Sequence, residues 1–243
     1  MKLKDVPDNF KALIEIYKTK PILDERKDNL LKATNDKDIE LEKALVYDTM
    51  RAWTKEVMSM FDISINIHGE ENLPTDGSHV YIGNHQSYFD ILSFLSIVKE
   101  PTTVIAKKEF ESVPGLGVWI KRVRGVLINR GNKRASLLAI NEGISRLEQG
   151  YSMVIFPEGT RSRSNKIGEF HTGAFKLATK KGYPIIPITF KNAAKVYEET
   201  GTITKGVTID IYVHEMIETK DLSRKELLKI PEQVIEIIKS DLN

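Results

Sequence analysis

Cysteine does not occur anywhere among the 243 residues of this chain. The chain therefore has no disulfide bond, no thiolate metal ligand and no thiol that could carry an acyl-enzyme intermediate, which suits a reducing interior. The remaining composition, 41% hydrophobic and 29% charged, is that of an ordinary globular protein. We expect one large packed domain, with or without an appendage.

Long apolar runs are also missing from the chain. No segment reaches the ~18 consecutive apolar residues of a membrane-spanning helix. The N-terminal sequence MKLKDVPDNF lacks the apolar core of a signal peptide. The sequence therefore predicts a soluble or peripheral protein.

Net charge is small as well, since 36 Lys and Arg residues face 34 Asp and Glu residues. This balance argues against nucleic acid as a partner, because nucleic-acid-binding domains are strongly basic. Between residues 107 and 134, however, Glu109 and Glu111 are the only acidic residues. We expect this basic stretch to meet an anionic ligand or membrane surface, unless it is a solvated face. Its basic residues are Lys107, Lys108, Lys121, Arg122, Arg124, Arg130, Lys133 and Arg134.

Residues 1–62 are predicted to form an N-terminal segment of two amphipathic helices. The first helix should end at Lys20–Pro21, because proline rarely continues a helix. The second begins near Asp38 and has Val46, Met50 and Val57 in its apolar stripe. These stripes either pack on the main domain or lie on a membrane.

Residues 63–243 alternate between strand and helix patterns, which predicts an α/β fold with a central sheet flanked by helices. Several predicted strands end at charged or glycine-containing turns. Ligands in open α/β sheets collect beyond the carboxyl ends of the strands. We therefore expect the functional site along that edge.

His85 and Asp90 lie five residues apart where an apolar strand gives way to a helix beginning near Tyr88. A carboxylate on the first helical turn that faces the imidazole would fix its tautomer and leave the other nitrogen to take a proton. Ser87 and Asp90 equally fit a capping box, which implies no catalysis. Both interpretations stand on these residues alone.

Cationic and glycine-containing turns would lie near that histidine. The forks of Arg130 and Arg161 match phosphate oxygens, and Gly159–Thr160 would let backbone N–H groups approach an anion. A phosphorylated substrate with a hydroxyl to deprotonate would use all of these groups. The alternative is that Arg130, Glu158 and Arg161 only pair with one another at the surface.

Four blocks of sequence resemble motifs of the glycerolipid acyltransferases, specifically the bacterial 1-acyl-sn-glycerol-3-phosphate acyltransferases. Residues 84–90, NHQSYFD, match the NHxxxxD block, and residues 125–130 resemble the second block, which ends in arginine. Residues 156–162, FPEGTRS, resemble the third block in full. Residues 183–188, YPIIPI, resemble the fourth, with tyrosine where an aliphatic residue is more usual. The four blocks also occur in the family's order.

The resemblance implies a glycerolipid acyltransferase-like fold with a mixed sheet, and transfer of a fatty acyl group to the free hydroxyl of lysophosphatidic acid, which gives phosphatidic acid. The donor would be an acyl thioester, either acyl-CoA or acyl carrier protein, and no metal or bound cofactor is expected. His85 would be the general base and Asp90 its orienting partner. The implied phosphate-binding residues are Lys107, Arg130, Glu158, Gly159, Thr160 and Arg161, and those lining the acyl site are Pro184, Ile186 and Pro187. The backbone N–H groups of Gly159 and Thr160 are candidates for an oxyanion hole.

A lipid acceptor also implies a membrane surface as partner. We expect peripheral attachment at the cytoplasmic face of the cell membrane, through the N-terminal helices. The aromatic residues of those helices that suit an interface are Phe10, Tyr17, Trp53 and Phe61.

Three other functions remain compatible with these residues. One is acyl transfer to a neighbouring acceptor, such as glycerol 3-phosphate or another lysolipid. Another is a serine hydrolase that uses Ser87 or Ser162 with His85, although the chain has no G-x-S-x-G sequence. The last is a catalytically silent lipid-binding module, against which the intact His85 and Asp90 argue.

Overall fold

The structure is a computed structural model that describes residues 12, 15, 16, 18–113 and 115–242. Its strands are β1 (Ser64–His68), β2 (Val80–Gly83), β3 (Thr102–Lys107), β4 (Val126–Ile128), β5 (Ser152–Ile155), β6 (Ile185–Lys191) and β7 (Thr208–Val213). Its α-helices are α1 (Lys20–Asp36), α2 (Ile39–Met60), α3 (Tyr88–Ile97), α4 (Leu116–Arg122), α5 (Lys133–Glu148), α6 (Lys176–Thr179), α7 (Arg224–Leu227) and α8 (Ile230–Ser240).

The strands form one seven-stranded sheet in the order β1-β7-β6-β2-β5-β3-β4. Neighbouring strands run parallel, except that β6 and β7 are antiparallel. Both faces of the central strands are buried, which is why β2, β5 and much of β6 are apolar without alternation. The predicted mixed sheet flanked by helices is therefore confirmed.

Each face of the sheet has its own hydrophobic cluster. Tyr81 of β2 points to one face, where it packs with Phe94 of α3 and Phe190 of β6. Ile82 points to the other face and joins Met153 of β5. Because side chains along β2 alternate between the two faces of the sheet, helices pack on both faces. These helices leave the carboxyl ends of the strands uncovered.

Helix α1 begins where the sequence predicted a helix end. Pro21 lies in its first turn, where the missing N–H would have had no intrahelical partner. Leu23, Leu30 and Ala33 are buried on the inner side. Ala12, Glu15 and Ile16 are helical and Lys18 and Thr19 form a turn, so a helix does end just before Lys20–Pro21. The helix that begins there and runs to Asp36 was not predicted.

Helix α2 begins after Asp38, as predicted, and the Asp38 carboxylate accepts the N–H of Leu41. Val46, Met50 and Val57 of its stripe belong to the same cluster as the core residues of α3. The described part of residues 1–62 therefore shares the core of the main domain.

The aromatic residues expected at a membrane divide into two sets. Trp53 packs against the core, and its Nε1–H donates to Thr19 Oγ1 at 2.7 Å. Phe61 is buried and meets the Phe89 ring edge-on at 5.8 Å. The predicted membrane contact of Phe61 is wrong, because its side chain fills protein interior. Trp53 is half-buried, and its membrane contact stays a prediction. Phe10 and Tyr17 lie outside the described residues.

Length and apolar character decide whether any of the described helices could cross a bilayer. None of them combines the length and the apolar character that a membrane span needs.

Candidate active site at the carboxyl edge of the sheet

Asn84 fixes the turn that follows β2. Its side chain is fully buried, and its Nδ2 donates to the Phe190 carbonyl at 2.9 Å while its Oδ1 accepts the Phe190 N–H at 2.8 Å. The two hydrogen bonds tie the carboxyl ends of β2 and β6 together. The turn that carries His85 is therefore held rigidly against the sheet.

Asp90 holds the imidazole of His85 and caps α3 with one oxygen. His85 Nδ1 lies 2.8 Å from Asp90 Oδ2, which also accepts the N–H groups of Gln86 at 2.7 Å and Ser87 at 2.8 Å. The Ser87 hydroxyl oxygen accepts the Phe89 N–H, which completes a capping box. Asp90 thus faces the imidazole and caps the helix at the same time, so the geometry is compatible with both interpretations of the sequence. With Nδ1 donating to the carboxylate, Nε2 is left to take a proton.

The surroundings of His85 keep its imidazole neutral. The ring stacks on Phe156 at 4.2 Å between centroids, and the side chain is 19% exposed. Burial, followed by the positive charges of Arg161 and Arg130, lowers the pKa of His85 below its ordinary value. Burial raises the pKa of Asp90, against the bonds from the cap N–H groups. A neutral imidazole is the form that acts as a base.

Glu158 supports the backbone of the site. Its Oε1 accepts the N–H of His85 at 2.6 Å and its Oε2 accepts the N–H of Gly168 at 2.8 Å. Burial raises the pKa of Glu158 to about 7. Since both oxygens accept from the protein backbone, Glu158 positions the turn that carries His85, and its predicted place at the phosphate site stays a prediction.

Gly159 allows Arg130 to lie against the turn that follows β5. Its φ is +74°, and a Cβ there would come within 3.0 Å of Arg130 Nη1 and 3.3 Å of His171 Cδ2. The Gly159 N–H donates to the Phe156 carbonyl at 3.1 Å, so it is engaged in the turn. The N–H of exposed Thr160 donates no hydrogen bond within the described part of the chain and remains the candidate oxyanion donor.

Lys107 and Arg130 follow the two outer parallel strands toward His85. Lys107 ends β3, and Arg130 comes two residues after β4. Both positive charges act on the imidazole of His85, which places them close to it. Across the described ranges neither side chain has an ion pair or a hydrogen bond, so both cations are available to an anionic ligand.

Arg161 is held differently from the other two cations. Its Nη1 donates to Glu198 Oε1 at 2.6 Å, and its guanidinium carbon lies 3.6 Å from the centroid of the Tyr88 ring. It exerts the largest single charge effect on His85. The predicted pairing among Arg130, Glu158 and Arg161 is therefore wrong, because the partner of Arg161 is Glu198.

The fourth block lies mostly inside the sheet. Ile186 and Pro187 are buried in β6. Pro184 precedes β6, and its carbonyl accepts the Val80 N–H at 3.0 Å. That bond places Pro184 at the amino end of β2, opposite to His85. The structure does not bring these three residues to the catalytic edge, and their acyl-site role stays a prediction.

Neither serine singled out in the sequence is arranged as a nucleophile for His85. The Ser162 hydroxyl donates to the Ser164 carbonyl at 2.9 Å, and the Ser162 N–H donates to the His85 carbonyl at 2.7 Å. The Ser87 side chain caps α3 and is fully buried. The arrangement therefore offers a base for an incoming hydroxyl and not a serine triad.

Two residues of the site were missed in the sequence. Asn165 Oδ1 accepts from the Gln86 side chain at 2.9 Å and from the Asn192 N–H at 3.2 Å, and so pins the loop after β5. Glu198 is the partner of Arg161. Both lie outside the four blocks, and no local spacing connects them to His85.

Known proteins resemble this chain in sequence and in fold. The family model described as Acyltransferase matches residues 64–191, which include His85, Asp90, Arg130 and the third and fourth blocks. A 1-acyl-sn-glycerol-3-phosphate acyltransferase of Borreliella burgdorferi is 30% identical over 182 residues, which are 75% of this chain and 73% of that protein. The chloroplastic LPAT1 of Arabidopsis thaliana is 35% identical over 157 residues, which are 63% of this chain and 43% of that longer relative.

A solved structure shows the same fold. The crystal structure of the 1-acyl-sn-glycerophosphate (LPA) acyltransferase PlsC from Thermotoga maritima has a TM-score of 0.77 and 26% identity, covering 96% of this chain and 94% of that chain. The family model, the relatives in sequence and the solved structure all indicate the same family. This chain belongs to the acyltransferase family.

Proposed function

We propose that the protein transfers a fatty acyl group from an acyl thioester to the free hydroxyl of 1-acyl-sn-glycerol 3-phosphate, giving phosphatidic acid. The observation that carries this proposal is the His85 imidazole, bonded through Nδ1 to Asp90 at 2.8 Å, with the positive charges of Lys107, Arg130 and Arg161 acting on it. The relatives from Borreliella burgdorferi and Thermotoga maritima are named for this acceptor, which supports the choice.

The reaction proceeds by direct attack of the acceptor on the donor. His85 Nε2 takes the proton of the hydroxyl while the oxygen bonds to the thioester carbonyl carbon, a step that a positioned base accelerates by about 10²–10⁴-fold. Negative charge develops on the carbonyl oxygen, for which the Thr160 N–H is the candidate donor. The carbon–sulfur bond then breaks, and the thiolate takes the proton from the imidazolium.

The phosphate of the acceptor is bound by the three cations. Lys107 and Arg130 have no protein partner in the described ranges, and Arg161 uses one of its five N–H groups on Glu198. Charge-assisted bonds from these groups would hold the acceptor with its hydroxyl at His85. The donor is acyl-CoA or acyl carrier protein, and the steps use no metal or bound cofactor.

The enzyme would act as a peripheral protein at the cytoplasmic face of the cell membrane, because acceptor and product both reside in a bilayer. Exposed cations adjoin the carboxyl ends of β3 and β4, among them Lys108 and Lys133. Such side chains are attracted to anionic lipid by about 1 kcal/mol each. We expect Lys108→Gln with Lys133→Gln to weaken flotation with anionic liposomes. Unchanged flotation would show that these two cations do not contribute to membrane attachment.

The activity is tested by thiol release from acyl-CoA with and without 1-acyl-sn-glycerol 3-phosphate, with mass spectrometry of the product. We expect acceptor-dependent release and phosphatidic acid. A panel containing glycerol 3-phosphate and lysophosphatidylcholine measures acceptor preference, and a higher kcat/KM for either would reassign the acceptor. Release without acceptor, together with an acyl ester on Ser87 or Ser162, would indicate a serine hydrolase. No release with any acceptor would indicate a lipid-binding module.

A further inference from the structure

Glu198 is a buried carboxylate that belongs to none of the four sequence blocks and follows the 3₁₀-helix Ala193–Val196. Its side chain is 2% exposed, and that of its partner Arg161 is 12% exposed. It also lies beyond residues 64–191, the part that matches the family model. A carboxylate is rarely buried this deeply unless it is paired, so its contacts define its role.

One oxygen of Glu198 bridges two parts of the site. Oε1 accepts from Arg161 Nη1 at 2.6 Å and from the N–H of Tyr88 at 3.2 Å. Tyr88 is the first residue of α3, the helix whose Asp90 holds His85. Glu198 therefore connects the loop that carries Arg161 to the helix that carries the partner of the catalytic base.

The Arg161 guanidinium is thereby fixed in two directions. Glu198 bonds it at one edge, and the Tyr88 ring lies against its face at 3.6 Å. Within the described residues the guanidinium makes no further hydrogen bond, so its other N–H groups remain for a ligand. An arginine with a fixed plane recognises phosphate with less loss of side-chain entropy than a mobile one.

We propose that Glu198 is a positioning residue that holds Arg161 for the acceptor's phosphate and so sets the preference for phosphorylated acceptors. This inference rests on the proposed function, because it assigns a device for acceptor selection to the same site. Glu198 is not a displaceable competitor of the phosphate, since its oxygen is also bonded to the backbone of α3. Its loss therefore weakens phosphate recognition and leaves the chemical step intact.

The test compares Glu198→Gln with Glu199→Gln, an exposed neighbour on the same turn. With acyl-CoA as donor, Glu198→Gln should raise KM for 1-acyl-sn-glycerol 3-phosphate by about tenfold, with kcat within about twofold, the loss expected for one charge-assisted contact. KM for phosphate-free monoacylglycerol should not change. Glu199→Gln should behave as wild type with both acceptors.

A double-mutant cycle with Arg161→Gln shows whether Glu198 acts through that arginine. In the Arg161→Gln background, Glu198→Gln should add no further rise in KM. In the Glu198→Gln variant, Arg161 loses its partner, and an unpaired charge could destabilise the fold. The double variant removes both charges of the pair, so it can still be measured in that case. Glu198→Asp, which retains the charge on a shorter side chain, should show a smaller rise than Glu198→Gln.

Four results would overturn the inference while wild type remains active. These are an unchanged KM for the phosphorylated acceptor, a lowered KM, an equal rise for both acceptors, and additive effects of the Glu198 and Arg161 substitutions. A lowered KM would make Glu198 a competitor, and an equal rise would make it structural only. Failure of the proposed function shows separately, as wild type that does not acylate 1-acyl-sn-glycerol 3-phosphate.

Discussion

Two histidines flank β2, and each is bonded to a buried carboxylate. At the amino end, His79 Nδ1 lies 3.1 Å from both oxygens of Glu100. Glu100 also accepts the Tyr81 hydroxyl at 2.7 Å and the Ser152 hydroxyl. Past the carboxyl end, His85 Nδ1 lies 2.8 Å from Asp90 Oδ2. The sequence contains both histidines within seven residues, yet the two pairs differ in what surrounds them.

The pair at the amino end is the more deeply buried of the two, with the His79 side chain 10% exposed against 19% for His85. Gly77 packs so closely on the His79 ring that a Cβ there would lie 2.9 Å from Cε1. Glu100 is satisfied by donors from two strands. By contrast, His85 is partly exposed, and the positive charges of Lys107, Arg130 and Arg161 act on it. A histidine–carboxylate pair becomes a candidate base through an open nitrogen and a neighbouring ligand site, and the pair alone is a structural unit.

Substitution of the two histidines should separate these roles most strongly. His85→Ala should lower kcat by about 10⁴-fold, the upper end of what a positioned base contributes, with little change in melting temperature. His79→Ala should leave kcat of the folded enzyme near wild type and lower stability by about 1–3 kcal/mol, since Glu100 loses a partner. Steady-state kinetics and thermal melting measure both. His85→Ala within tenfold of wild-type turnover would disprove the general-base assignment.

Substitution of the two carboxylates should give the next largest contrast. Asp90→Asn should lower kcat by about 10³–10⁴-fold through loss of tautomer control. It should also lower stability by about 1 kcal/mol, because Asp90 caps α3. Glu100→Gln should affect stability only. If Asp90→Asn melted earlier and turned over normally, Asp90 would be a cap and nothing more.

Arg130→Gln should raise KM for the phosphorylated acceptor by about tenfold, since one charge-assisted phosphate contact is lost. The matched control is Arg224→Gln on α7, which removes the same charge from an exposed position. Monoacylglycerol should react equally well with both variants and wild type. Equal losses with the two acceptors would show that Arg130 supports the fold and does not bind phosphate.

The same Arg130→Gln variant should change the pH dependence of kcat/KM in one direction. The positive charge of Arg130 disfavours the imidazolium and lowers the pKa of His85. Its removal raises that pKa, so the base becomes protonated at a higher pH and the acid limb moves upward. A pH profile with Arg224→Gln as control measures the shift. A downward shift would contradict the assignment of His85 to that limb.

Gly159→Ala should have the smallest effect. Its φ of +74° and the 3.0 Å approach to Arg130 Nη1 predict a loss of about 1–2 kcal/mol and a modest rise in acceptor KM. Gly173→Ala is the control, because a Cβ there meets nothing within 4 Å. Thermal melting and kinetics of the pair give the comparison. If the two variants had the same melting temperature and the same acceptor KM, glycine would not be required at position 159.

Local patterns in the sequence predicted most of the fold and the centre of the site. The pair His85–Asp90 and the capping box Ser87–Asp90 span three to five residues, and both are present. Interactions across long stretches of chain were not predictable. Glu158 reaches the N–H of His85 across 73 residues, and Arg161 reaches Glu198 across 37. Spacing along the chain does not encode such pairs, because the sheet topology creates them.

Two differences from the predictions near the N-terminus have simple physical causes. Pro21 marks the end of one helix, but proline also suits the first turn of the next, and the sequence analysis did not predict that α1 begins there. The stripe of α2 is apolar enough for either a membrane or a protein core. Packing of α2 on α3 decides the matter, and that contact depends on residues far along the chain.

The strand order has a consequence for the biosynthesis of the protein. Among the residues that the structure describes, β1 has β7 as its only neighbour in the sheet, with Ser64 opposite Thr208. β1 is synthesised before the other strands of the sheet, but it can pair only after β7, the last of them, has been synthesised. Until then Ile65 and Ile67 lie on an unpaired ladder that another chain could join. A chain whose translation stops before Thr208 lacks β7, so the edge of β1 stays unpaired. We therefore expect such truncated chains to aggregate instead of folding into a smaller enzyme.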